Sequence, residues 1–157
     1  MDEGITDGIT ETLFGPDNAC TRGHVVTFLY RAAGKPEIPE GTENPFKDVP
    51  EDQYYYEAVL WAVANGITDG VSEDEFAPDA TCTRGQIVTF LWRYENKPEV
   101  DGKNIFTDVT ADDYFYAPVL WALEKGITDG MTETTFVPDG TCTRAQVVTF
   151  LCRDLEN

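Results

Sequence analysis

The sequence is poor in positive charge, has a single histidine and contains no long apolar run. Its 157 residues carry 11 Lys and Arg against 29 Asp and Glu, a formal net charge of −18. So acidic a surface excludes the counterion-releasing grip on phosphates that nucleic-acid binding requires. It also disfavours adsorption to an anionic membrane surface. No stretch of about 18 apolar residues exists, so no segment is expected to span a bilayer. The start Met-Asp-Glu-Gly lacks the basic and apolar regions of a secretion signal. The chain as given reads as soluble, and its start in mid-repeat reads as that of a fragment.

Metal and catalytic chemistry are also thinly supplied. The lone histidine is His24, and the four cysteines form no close pair, so zinc is not expected, nor any other metal or cofactor. Cys20, Cys82 and Cys142 recur once per repeat, which reads as a core position rather than a disulfide framework. A nucleophile with a base oriented by a third group cannot be picked out, so no catalytic residue is expected and the chain is not read as an enzyme. The acidic loop Asp-Gly-Val-Ser-Glu-Asp-Glu offers several oxygens but lacks EF-hand spacing, and reads as a solvated loop.

What the chain has is apolar surface and repetition. Hydrophobic residues make up 41% and aromatics 12%, enough for a packed core in one compact domain. Gly-Ile-Thr-Asp-Gly recurs at residues 4–8, 66–70 and 126–130, followed each time by a Phe, a Pro-Asp pair and Cys-Thr-Arg. A second matched pair, FKDVPEDQYYYEAVLWAVANG from Phe46 and FTDVTADDYFYAPVLWALEKG from Phe106, precedes only the second and third of these. The expected organisation is therefore one domain over 1–157. It comprises a partial first repeat at 4–33 with its front half missing, a second at 46–95 and a third at 106–155, with linkers at 34–45 and 96–105. A period near 60 residues signals units that bury their apolar faces only against one another.

Each complete unit reads as two helices joined by an irregular loop, giving a mainly α fold of tandem helix-loop-helix repeats. Val59, Ala62 and Val63 form an apolar stripe that predicts a helix over 56–65, with Gly66 as its C′ stop. Pro118 falls in the first turn of the matching helix, where its missing donor costs little. The second helix is expected over 83–94, with Ile87, Phe90 and Leu91 at helical spacing, and Thr21 and Thr143 start its counterparts. Turn formers fill the loop between, and Phe76 within it is expected to be buried only intermittently.

Thr83 with Gln86, and Thr143 with Gln146, form capping boxes. The arginines that follow the threonines are harder to explain. Arg22, Arg84 and Arg144 sit at N1, where the positive end of the helix dipole disfavours a cation by several tenths of a kcal/mol. Two readings are open: an ion pair to an acid such as Asp79 or Asp139, or a site in which Arg and free helix-start amides hold an anionic or hydroxyl-rich group. Tyr54, Tyr55, Tyr56 and Trp61, repeated as Tyr114, Phe115, Tyr116 and Trp121, are core candidates, but three consecutive positions cannot all face inward.

Taken together, the Phe-x-Asp-Val opening, the aromatic first helix, Gly-Ile-Thr-Asp-Gly, Phe-x-Pro-Asp and Thr-Arg-Ala-Gln resemble the surface-layer homology (SLH) domain, whose second helix carries Thr-Arg-Ala-Glu. The resemblance covers nearly the whole chain outside the linkers. It departs at His24, Gln86 and Gln146, which stand where the motif has Glu, and at Gly23 and Gly85, which stand where it has Ala. It implies three units around a pseudo-threefold axis, a three-pronged spindle with grooves between prongs. It further implies that the grooves bind secondary cell-wall polysaccharide, often pyruvylated, and anchor a secreted protein to the bacterial cell surface. Carried over residue by residue, the implied glycan-binding set is Arg22, Arg84 and Arg144 with Thr21, Thr83 and Thr143, followed by Gly66, Gly70, Gly126 and Gly130. Another protein chain completing the first repeat is a further implied partner. The alternative is a surface interaction or adhesion module that has kept the scaffold without the sugar.

Overall fold

A computed structural model describes residues 14–157. Among them are five helices and no strand: α1 (Arg22–Ala32), α2 (Tyr56–Ala64), α3 (Arg84–Tyr94), α4 (Tyr116–Glu124) and α5 (Arg144–Leu155). The stripe and cap readings locate these helices to within a residue. Repeat one's Gly-Ile-Thr-Asp-Gly lies outside the described residues.

Caps set the helix ends. Thr21, Thr83 and Thr143 each accept the N3 amide, and the N3 side chain accepts the N-cap amide, with His24 Nδ1 replacing the Gln oxygen in α1. At the end of α2, Gly66 takes φ +65° and donates to Val63, while Ile67 donates to Ala62 and turns its own side chain into the core. That pair of bonds is a Schellman stop.

The units join through a closed ring of backbone bonds. Cys20 N–H donates to Cys142 O at 2.8 Å, Cys82 to Cys20 at 2.8 Å, and Cys142 to Cys82 at 3.1 Å. The three residues thus circle a pseudo-threefold axis, each fully buried. Burial pushes the Cys20 thiol up to about 12 and Cys142 to about 11, so neither offers a thiolate at neutral pH. Helix packing follows the ring only in part. α1 lies on α2 and α3 on α4, whereas α5 touches α1 and α3 and has no first-helix partner among the described residues.

One loop expectation is overturned. Phe76 is fully buried, as is its counterpart Phe136. The Phe46 ring packs on Phe76 at 5.7 Å and Phe106 on Phe136 at 5.7 Å. Those contacts join positions 30 residues apart, which no local periodicity reveals, and burying such a ring contributes about 2–3 kcal/mol.

Candidate functional site

The site begins with the left-handed residue between Phe and Pro-Asp. Ala77 and Val137 take φ +56° and +58°, and Gly15 takes +63° in the first unit. Ala and Val resist this conformation by roughly 1–2 kcal/mol. They are held by a carboxylate from the front half of their own unit. Asp48 accepts Phe76 N–H at 2.9 Å and Ala77 N–H at 2.7 Å, and Asp108 accepts Phe136 and Val137 at the same distances. The first unit places Gly at the position. Sequence reasoning missed Asp48 and Asp108, although both belong to the repeated Phe-x-Asp-Val opening, at Phe46 and Phe106.

The turn fixed in this way aims a carbonyl at the neighbouring unit's arginine. Arg22 Nε donates to Phe76 O at 2.9 Å, Arg84 to Phe136 O at 2.8 Å and Arg144 to Phe14 O at 3.1 Å. Each guanidinium lies over two rings of the unit it reaches, Arg22 over Phe76 and Phe90 at 4.8 and 5.3 Å, Arg84 over Phe136 and Phe150 at 4.7 and 5.4 Å. Arg144 does the same with Phe14 and Phe28, closing the cycle. The N1 position, unfavourable by the dipole, is thus offset by cation–π contact and a carbonyl.

The surroundings of Arg22 and Arg84 differ from both pictures of an ion pair and of free helix-start amides. Arg93 and Arg153 pair with Asp69 and Asp129, whereas neither Arg22 nor Arg84 pairs with Asp79 or Asp139. The helix-start amides are not free either. Arg22 and Gly23 donate to Ala80 O and Pro78 O, Arg84 and Gly85 to Gly140 O and Pro138 O, and Arg144 and Ala145 to Asn18 O and Pro16 O. These bonds staple unit to unit, and leave no helix-terminus cradle for an anion.

The guanidinium tips are what remains. The three arginines are 4–6% exposed, and no buried side-chain nitrogen or oxygen lacks a partner among the described residues. With Nε alone bonded in Arg22 and Arg84, their terminal nitrogens face the grooves. Burial lowers the pKa of both guanidinium groups from the ordinary value, yet arginine remains a cation at neutral pH. The Arg22 groove, about 330 Å³, includes Thr68, Gly70, Gln86, Arg93 and Tyr114. The Arg84 groove, about 300 Å³, repeats it with Thr128, Gly130, Gln146 and Arg153. Arg93 and Arg153 are steered to the rim by Ile67 O and Ile127 O, and by Asp69 and Asp129 at 3.6 Å.

The other residues implied by the resemblance fall in two places. Gly70 and Gly130 line the grooves, and a side chain at either would lie 2.5–2.6 Å from the Phe46 or Phe106 ring, so the turn also needs glycine to fold. Gly66 and Gly126 are helix stops away from the grooves, at φ +65° and +69°. Thr21, Thr83 and Thr143 are spent on capping.

Comparison with known proteins places the repeats in a family. The S-layer homology domain matches residues 45–88 and 105–148, more than half of the chain. The cellulosome-anchoring protein of Acetivibrio thermocellus is 24% identical over 92% of this chain and 34% of its own length. The S-layer protein sap of Bacillus anthracis is 30% identical over 68% of this chain and 13% of its own. The amylopullulanase of Thermoanaerobacterium thermosulfurigenes is 26% identical over 97% of this chain and 8% of its own. The chain thus spans between 8 and 34% of the length of these relatives. S-layer and anchoring relatives of this kind are secreted proteins of the cell surface, and the shared domain is a non-catalytic anchoring module. The repeat, the ring of interlocked units and the matched residues together make this chain a member of the S-layer homology domain family.

Proposed function

We propose that the chain acts as one non-catalytic domain that binds secondary cell-wall polysaccharide in the grooves between its units, and so holds a larger secreted protein to the bacterial wall. One observation carries this reading: Arg22 and Arg84 are buried cations with no carboxylate paired to them, and their free nitrogens point into grooves also lined by hydroxyl and amide side chains. A buried unpaired cation is costly. An acidic sugar substituent supplies the missing charge, and its hydroxyls suit Thr68 and Gln86 or Thr128 and Gln146. Arginine's fork suits a carboxylate where a lysine would not. A helix of another protein chain, patterned like α2 and α4, would complete the first repeat beside α5, which has no first-helix partner among the described residues.

The test is binding of wall polysaccharide to Arg22→Lys/Arg84→Lys by calorimetry. Lysine keeps the charge but loses the fork, so affinity falls at least about tenfold. Circular dichroism confirms that the helices persist. Unchanged affinity in the folded double variant would rule the grooves out.

A further inference from the structure

Away from the grooves, the C-terminal ends of α3 and α5 border a cavity of about 190 Å³ whose lining includes Glu95, Pro98, Trp121, Lys125 and Asp154. At a rise of about 1.5 Å per residue, Glu95 lies about 16 Å along its helix from the groove arginine Arg84.

The repeat supplies its own reference for this place. Tyr94 holds in α3 the position that Asp154 holds in α5, and its ring lies against Trp61, the counterpart of Trp121, at 5.9 Å. Ala33 and Asn65 stand where Glu95 and Lys125 stand. One tryptophan is thus covered by a phenol, whereas the other borders a cavity with three charged side chains.

Asp154 has no explanation in packing. It is 9% exposed, and its carboxylate, open to the cavity, has no hydrogen-bond or ion-pair partner among the described residues. The titratable groups around it are Tyr94 and Glu95 at the end of α3 and Lys125 at the end of α4, and Lys125 forms no ion pair with either acid. Burial, and then the charge of Glu95, pushes the Asp154 carboxyl up to about 7. An uncompensated buried carboxylate is costly, and the carbonyl ends of two helices add negative potential. The local field therefore favours a cation. A metal ion fits poorly, because no three His, Cys, Asp or Glu groups converge among the described residues and an indole offers no oxygen ligand. An organic ammonium fits: its protons suit the two carboxylates, and its charge and methylenes suit the Trp121 wall.

We propose that this cavity is a binding site, separate from the grooves, for a primary alkylammonium group. Free amines and lysine side chains share that chemistry.

The probes are n-butylamine, Nα-acetyl-lysine amide and calcium chloride, each titrated into the ¹⁵N-labelled chain while the Trp121 indole signal is followed. Butylamine is expected to shift that signal saturably at pH 8. Its midpoint should rise about tenfold at pH 6, because Asp154 must lose its proton to pair while the amine stays charged. Asp154→Asn keeps the shape and raises the midpoint at least about tenfold, and Asp154→Tyr, which installs the arrangement at Trp61, abolishes the shift. An unchanged Trp61 indole signal shows that each variant is folded. A matching response to the lysine derivative points to a protein side chain as the source and a response to butylamine alone to a small amine, and either supports the proposal. The absence of a saturable shift, a midpoint indifferent to Asp154→Asn, or a tighter response to calcium overturns it. Each of these outcomes leaves the anchoring reading intact, because that reading is tested at Arg22 and Arg84.

Discussion

Helices α3 and α5 begin from almost the same sequence, Thr-Arg-Gly-Gln-Ile-Val-Thr-Phe-Leu-Trp and Thr-Arg-Ala-Gln-Val-Val-Thr-Phe-Leu-Cys, and finish in different surroundings. Their caps are identical. Thr89 of α3 is buried beneath α4, whereas Thr149 at the same place on α5 is exposed. Trp92, half-buried, donates its indole N–H to Pro98 O at 3.0 Å, and α5 has Cys152 there. Gly85 makes room for Phe115, and α5 carries Ala145 at the same place. Local sequence therefore decides that a helix forms, and the neighbouring unit's first helix decides what its outer face can carry. The front half of each complete unit also supplies the Asp that holds that unit's own left-handed turn, so the comparison can be broken at several points.

The largest effect is expected at that Asp. Asp48→Ala and Asp108→Ala each remove a carboxylate accepting two amides, and a hydrogen bond to a charged group contributes about 1.5–3 kcal/mol. We expect Asp108→Ala to cost about 3 kcal/mol and Asp48→Ala somewhat less, because a β-branched residue suffers more than Ala in the left-handed region. Urea unfolding measures both. Equal losses would mean that Asp108 does not hold Val137 against strain.

The second prediction reverses the usual rank of Gly and Ala in a helix. Gly85→Ala gains helix propensity but sets a methyl 3.1 Å from the Phe115 ring and 3.3 Å from Pro138 O. With the ring buried and the carbonyl bonded to Gly85 N–H, neither yields easily, and overpacking costs roughly 1–3 kcal/mol. Ala145→Gly on α5 is expected to lose helix propensity, about 0.5–1 kcal/mol. Thermal unfolding of the two variants decides it, and stabilisation by Gly85→Ala would show that α4 is not packed tightly on α3.

How much of this was legible in the sequence depends on the distance between cause and effect. Thr21, Thr83 and Thr143 announced their helices because a capping box spans three residues, and Gly66 announced a stop for the same reason. The arginine's target could not be read. Arg22 bonds a carbonyl 54 positions away and Arg84 one 52 away, each in the following unit. Phe76 looked like a loop residue because its partner Phe46 belongs to no common period with it. The sequence did mark Arg22, Arg84 and Arg144 as locally unfavourable, and that conflict led to the grooves. It could not show that the helix-start amides were already taken by Ala80, Pro78, Gly140 and Pro138.

The smallest expected effect separates α1 from α3 and α5 by pH alone. His24 closes the α1 capping box by accepting Thr21 N–H at its Nδ1, 3.2 Å away, while Gln86 and Gln146 do the same with an oxygen that does not titrate. Burial, reinforced by the charge of Arg144 and opposed by Asp79, lowers the His24 pKa below its ordinary 6.5. The folded state thus binds this proton more weakly than the unfolded chain. The contribution of neutral His24 is complete above about pH 6.5 and is lost as the pH falls through the folded value. Protonated Nδ1 cannot accept, so the box opens at the same time. Between pH 8 and pH 5 the natural chain should lose up to about 1 kcal/mol more stability than His24→Gln in urea. Carboxylates common to both chains cancel in that difference. An equal decline in the two would mean that the imidazole cap of α1 contributes no more than the amide caps of α3 and α5.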